Sequence, residues 1–207
     1  MSKQNKIQEG VERRTVTAPM QVETREGDTD DGVIEGYAAL YDSRTDLGWF
    51  EEEIAQGSFD DVLNDDVRCL INHDPQFILA RSNNGEGTLT LTADAHGLKY
   101  SYVTPNRTYA KDLEDAIRSG DVSQSSFAFA IKEETWTARE GQNDLRRITK
   151  FERLYDVSPV TFPAYQDTSV AKRSHEAVQQ TQEYKQKFDE YEARQRRLTL
   201  NKAKNEN

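Results

Sequence analysis

Between Gly32 and Ala171 the apolar positions recur mostly at every second residue, in segments set apart by short polar runs. That period puts alternate side chains on one face of an extended chain, so it predicts strands. "GVIEGYAALYD" has the β-branched and aromatic content of one strand, and "DVRCLIN" reads as another. "TLTLTADAHGLKYSYVTP" holds two alternating segments around "ADAHG", which predicts a β-hairpin with Gly97 in its turn region. "SSFAFAIKEETWTA" and "LRRITKFERLYDVSPVTFPA" are strands joined by a turn at "REGQND". "FEEEIAQGSFDDVL" reads as a loop leading into a short helix near Ser58, and "HDPQFILARSNNGEG" as a loop. Only "NRTYAKDLEDAIRSG" switches period: Tyr109, Leu113, Ala116 and Ile117 fall at helical spacing, predicting a helix over 108–119 that Gly120 stops.

Roughly seven strands with few helices predict a mainly β, α+β domain. A closed or nearly closed barrel flanked by helices is the expectation, because closure removes exposed strand edges. Residues 1–31 are polar and acidic and read as an N-terminal arm with one strand at Thr15 to Val22; residues 32–171 form the domain; residues 172–207 form a tail. In the tail Ala177, Tyr184, Tyr191 and Leu198 recur every seven residues with Phe188 on the same side, which predicts one amphipathic helix. That helix could lie on its own domain or dock on another chain, and the thinness of its aromatic stripe favours docking. The tail carries nine Lys or Arg against six Asp or Glu, a net +3 that leaves −13 on the rest.

Composition narrows the function. Of 207 residues 35% are apolar and 31% charged, a lean core for a folded domain. A formal charge of −10 argues against nucleic acid as the main partner, since basic side chains drive that binding. No apolar run approaches the ~20 residues that cross a bilayer, and "MSKQNKIQEG" lacks the apolar stretch of a signal peptide, so neither membrane nor export is expected. One cysteine, Cys69, precludes an internal disulfide. The three histidines, His73, His96 and His175, lack a paired-ligand spacing, so no metal site and no cofactor is expected.

The run "SGDVSQSSFAFAIKEE" raises the question of a serine nucleophile. In an extended chain Ser126 shares a face with the small Ala128 and Ala130, while Ser125 begins the face of Phe127, Phe129 and Ile131 that packs a core. Ser126 is the more approachable hydroxyl. It needs a base, and His73, at the end of "DVRCLINHDP", is better fixed than His96 in a hairpin turn or His175 in the tail. The imidazole in turn needs a carboxylate. Asp156 in "RLYDVSPVTF" sits mid-strand, where aspartate is disfavoured without a partner; Glu152, Asp74 and Asp167 compete for the role. Cys69 is the rival nucleophile, but four residues of strand, about 13 Å, separate it from His73.

Taken in order, "FEEEIAQGSFDDVL", "VRCLINHDPQFILARS", "GTLTLTADAHGLKYSYVTP", "GDVSQSSFAFAI" and "LYDVSPVTFPAY" resemble the successive blocks of the prohead (procapsid) maturation proteases of tailed bacteriophages, serine proteases related in fold to the herpesvirus assemblins. The resemblance spans roughly residues 32–171. It implies that the histidine of N-H-D-P is His73, the nucleophile of S-F-G-F is Ser126, and the acid of L-x-[D/E]-V-S is Asp156. Where the family pattern has glycine two places after the nucleophile, this chain has Ala128, which a positive φ would strain. The resemblance further implies a serine endopeptidase acting in the host cytoplasm inside the assembling prohead. Its substrates would be the major capsid protein, scaffold segments and its own chain, and a homodimer is a further expectation. A catalytically silent scaffold or assembly protein on the same fold is the alternative. For the oxyanion, a backbone amide near Ser126 and the basic pair Arg146 and Arg147 are candidate donors.

Overall fold

The computed structural model describes residues 10–16, 18, 20–23 and 32–162, and in the tail residues 176, 177, 186 and 189–197. Two β-sheets and a helix enclose the main core. The larger sheet runs β1 (Glu12–Val16), β11 (Gln124–Thr137), β12 (Asp144–Val160), β6 (Val67–Ile71), β7 (Asp74–Asn83) and β8 (Glu86–Gly87). A branch adds β5 (Phe50–Ile54) on β12 and β4 (Thr45–Asp46) on β5. The smaller sheet runs β2 (Gln21–Glu23), β3 (Val33–Leu40), β10 (Gly97–Val103) and β9 (Leu89–Ala93). The helix α1 spans Thr108–Ser119.

The branch follows from length. β12 has 17 residues, about 56 Å of strand, so one edge accommodates two partners in succession. β5 runs parallel to its Asp144–Ile148 end and β6 parallel to Asp156 and Val157 near the other end. Its core side chains, Ile148, Phe151, Leu154 and Val157, are all buried and fall every third residue. A two-residue pleat would turn every second one of these away from the core. Register shifts against β11 between Ala128 and Phe129, and again around Ala130 to Glu134, re-phase the strand and keep all four inward.

The core joins both sheets and the helix: Ile34, Leu98 and Tyr100 from one side, Phe127, Phe129, Phe151 and Leu154 from the other, with Leu113 and Ile117 of α1. Phe59 stacks on Phe151 at 4.3 Å between ring centroids. α1 has the predicted limits and ends at Gly120, whose φ of 84° lets its N–H reach the Ile117 carbonyl. The predicted hairpin is β9–β10, and Gly97 is required there because a Cβ would sit 2.0 Å from the Ala39 carbonyl oxygen.

Five expectations are corrected. The domain is not a closed barrel: among the described residues no ladder joins the two sheets, and each keeps free edges. "FEEEI" is strand β5 rather than loop, with Glu52 and Glu53 buried through ion pairs that polarity alone does not reveal. Ser58 lies not in a helix but in successive turns over 55–65, closed by bonds such as Ser58 N–H to Ala55 and Val62 N–H to Phe59 carbonyls. "DPQFILARSN" is strand β7, paired with β6. The single arm strand expected at Thr15 to Val22 is two strands in different sheets, β1 and β2. The described tail residues are helical; Tyr184, Phe188 and Leu198 of the expected stripe lie outside the described residues, as does His175. Among the described residues no helix is long and apolar enough to cross a membrane.

Candidate active site

The site forms where β11, β12 and the β6–β7 turn meet. Antiparallel pairing sets Ser126 opposite Ser158 and Ala128 opposite Asp156, so these four side chains share one face. The opposite face carries Phe127 and Val157 into the core. Tyr155 is the extra residue of the register shift next to Asp156, and this bulge puts the carboxylate on the Ser126 face while Leu154 remains buried.

His73 comes from a two-residue hairpin turn. Asn72 and His73 have φ of 53° and 59°, Ile71 pairs with Asp74, and two consecutive left-handed residues between paired strands are a type I′ arrangement. Asparagine tolerates this conformation; histidine adopts it only where the surroundings hold it. Here the turn is strapped to the end of β12: Asn72 N–H donates to the Pro159 carbonyl at 3.0 Å, the Thr161 N–H donates to Asn72 Oδ1 at 2.9 Å, and Asn72 Nδ2 donates to Thr161 Oγ1 at 3.2 Å.

These constraints bring His73, Ser126 and Asp156 together. His73 Nε2 lies 2.7 Å from Ser126 Oγ, and its Nδ1 lies 2.5 Å from Asp156 Oδ1. Ser158 Oγ donates to the same Asp156 oxygen at 2.8 Å. The cluster is closed off from solvent: Ser126 and Ser158 are fully buried, and the His73 and Asp156 side chains are 7% and 10% exposed. Thr15 of β1 stands opposite Ser126 on the other side of β11, so a peptide reaches the hydroxyl only if its surroundings move.

The competing residues lie elsewhere. Ser125 Oγ bonds the Tyr100 hydroxyl at 2.8 Å inside the core. His96 is exposed in the β9–β10 turn, with Nδ1 3.7 Å from Asp94. Asp74 accepts the Gln76 N–H, and Glu152 is exposed; Asp167 lies outside the described residues. Cys69 is fully buried, and burial followed by the negative charge of Asp156 pushes its thiol well above its ordinary range, away from the thiolate a nucleophile needs. Ala128 lies in regular strand and is not among the non-glycine residues with positive φ, so alanine fits there without strain.

The proposed oxyanion role of Arg146 and Arg147 is contradicted. Arg146 is buried and bonded to Glu12, Glu52 and Glu134, and Arg147 to Glu53 and Asp42. They lie at the other end of β12 from Asp156, roughly 30 Å of strand away. Ser158 was not given a role in the sequence; the signals available were its place as the closing serine of the L-x-[D/E]-V-S pattern and its position two residues after the mid-strand Asp156, on the same strand face.

A hydroxyl, an imidazole and a carboxylate bonded in that order form the arrangement by which serine hydrolases activate a nucleophile. Over residues 19–182 the chain matches the family model described as caudovirus prohead serine protease, and the chain belongs to that family. The match extends beyond 32–171 at both ends, and leaves β1 outside it. A solved structure of the capsid assembly protease of bacteriophage T4, gp21, is similar with a TM-score of 0.47 and 14% identity, covering 74% of this chain and 98% of that one. A search of curated proteins gives no match.

Proposed function

We propose that the protein is a serine endopeptidase of phage capsid maturation, acting inside the prohead on scaffold segments of the capsid protein and on its own chain. The carrying observation is the pair of contacts that His73 makes, 2.7 Å to Ser126 Oγ and 2.5 Å to Asp156 Oδ1. The Nδ1 proton donated to Asp156 leaves the Nε2 lone pair facing the serine hydroxyl. Ser126 Oγ attacks the scissile carbonyl carbon as His73 Nε2 takes its proton, and Asp156 stabilises the imidazolium that forms. When the C–N bond breaks, His73 returns the proton to the leaving amine, leaving an acyl ester on Ser126. Water activated by the same imidazole then releases the acid. Membership of the caudovirus prohead serine protease family supports this choice of substrates.

One observation favours a second reading, a catalytically silent assembly protein on the same fold: Ser126 has no exposed surface. A fluorophosphonate that phosphonylates activated serines separates the two without knowledge of the cleavage sequence. The protease reading expects one adduct by intact mass on the full chain, mapped to Ser126 and missing in Ser126→Ala and His73→Ala, together with self-cleaved fragments in the wild type only. Absence of both adduct and fragments in the wild type supports the silent reading.

A further inference from the structure

Ser158 is fully buried on the same face of β12 as Asp156 and stands directly across the ladder from Ser126. Its hydroxyl donates to Asp156 Oδ1 at 2.8 Å, the oxygen that His73 Nδ1 meets at 2.5 Å. It also lies 3.4 Å from Nδ1 itself. A carboxylate oxygen has two lone pairs, and both of these are engaged. We infer that Ser158 is a positioning residue of the site, acting on His73 through Asp156; the inference rests on the Ser126–His73–Asp156 reading above.

Two consequences follow from the geometry. The second bond fixes which oxygen of Asp156 faces the ring and locks its rotamer, so the imidazole is held in its aim at Ser126. With its proton committed to Oδ1, the Ser158 hydroxyl cannot donate to Nδ1. The ring nitrogen must carry its own proton there, and Nε2 is left as the acceptor for Ser126.

The test compares Ser158→Thr with Ser158→Val, which have the same shape and differ only in the hydroxyl, alongside Ser158→Ala. Phosphonylation of Ser126 by the fluorophosphonate is followed on the full-length chain over a range of probe concentrations, separating the limiting rate from the probe affinity. The Val and Ala variants should lose roughly tenfold in limiting rate relative to the Thr variant and the wild type respectively. Probe affinity should stay unchanged. Equal limiting rates for Thr and Val would overturn the inference, whatever damage both share from the added methyl groups. A loss carried by probe affinity would also overturn it, by assigning Ser158 a merely structural place. If His73→Ala labels as fast as the wild type, the underlying triad reading fails, and that result is distinct from every outcome above.

Discussion

Ser125 and Ser126 are neighbours on one strand with opposite surroundings, so two substitutions one position apart distinguish them. Ser126→Ala should abolish phosphonylation and self-cleavage while leaving the melting temperature within a few degrees of wild type, since it removes one oxygen from a face of small residues. Ser125→Ala should keep the activity and cost about 1 kcal/mol in urea unfolding, because the buried Tyr100 hydroxyl loses its 2.8 Å partner. The reverse pattern would show that the strand faces have been misassigned. Asp156→Asn should leave a small residual rate, as the acid orients the imidazole without forming a covalent bond; a rate equal to wild type in single-turnover labelling would move the role to another acid. At this scale the sequence was informative. Strand period alone separates the two serines, and an aspartate in mid-strand announces a partner. The role of Ser158 was not legible, because a serine in a strand is ordinary until its hydrogen bond is seen.

Elements were legible where their side chains keep one period and hidden where partners outside the segment decide. α1 and the β9–β10 hairpin carry their own signals, including Gly120 and Gly97. β5 and β7 do not: the acids of "FEEEI" are buried against arginines brought from β1 and β12, and "DPQFILARSN" begins at a turn with no glycine. The β6–β7 turn is the element on which the site depends most, since it places His73 in a left-handed conformation. Asn72→Ala loses both the residue type that tolerates positive φ and two bonds to Thr161. It should destabilise the chain by about 1–3 kcal/mol and slow phosphonylation. Asn72→Gly restores the backbone freedom and not the bonds, so it should recover part of the stability and less of the rate. Equal unfolding midpoints in urea for all three chains would show that the strap to β12 does not hold the turn.

Across the whole molecule, what joins distant parts is a buried cluster of charges. Arg14 of β1 bonds Glu12 and Glu52 at 2.6 Å each, and Arg146 of β12 bonds Glu12 at 2.9 Å and Glu52 at 3.0 Å and reaches Glu134 of β11. Five charges from four strands thus fasten β1, which lies outside the family match, to the edge of β11, the strand of Ser126. A strand count suggests a barrel because it cannot tell which edges pair, and a cluster of Glu and Arg scattered over more than a hundred residues reads only as surface charge. Arg146→Met leaves Glu12, Glu52 and Glu134 short of positive charge inside the protein, and should cost about 3–5 kcal/mol in urea unfolding. A second test uses pH. Burial by itself would raise the Glu12 carboxyl, but the bond to Arg146 and the charges of Arg14 and Arg146 outweigh it and hold Glu12 below its ordinary range. A carboxyl lowered on folding stabilises the fold above its unfolded pKa of about 4.3, and that stability disappears as pH falls through the lower folded value. The wild type should therefore lose stability steeply below about pH 4, and Glu12→Gln, which has no proton to take up at this position, should start less stable and show a shallower decline. Parallel curves for the two chains between pH 5 and pH 2 would show that the Glu12 charge contributes nothing to holding β1 in place.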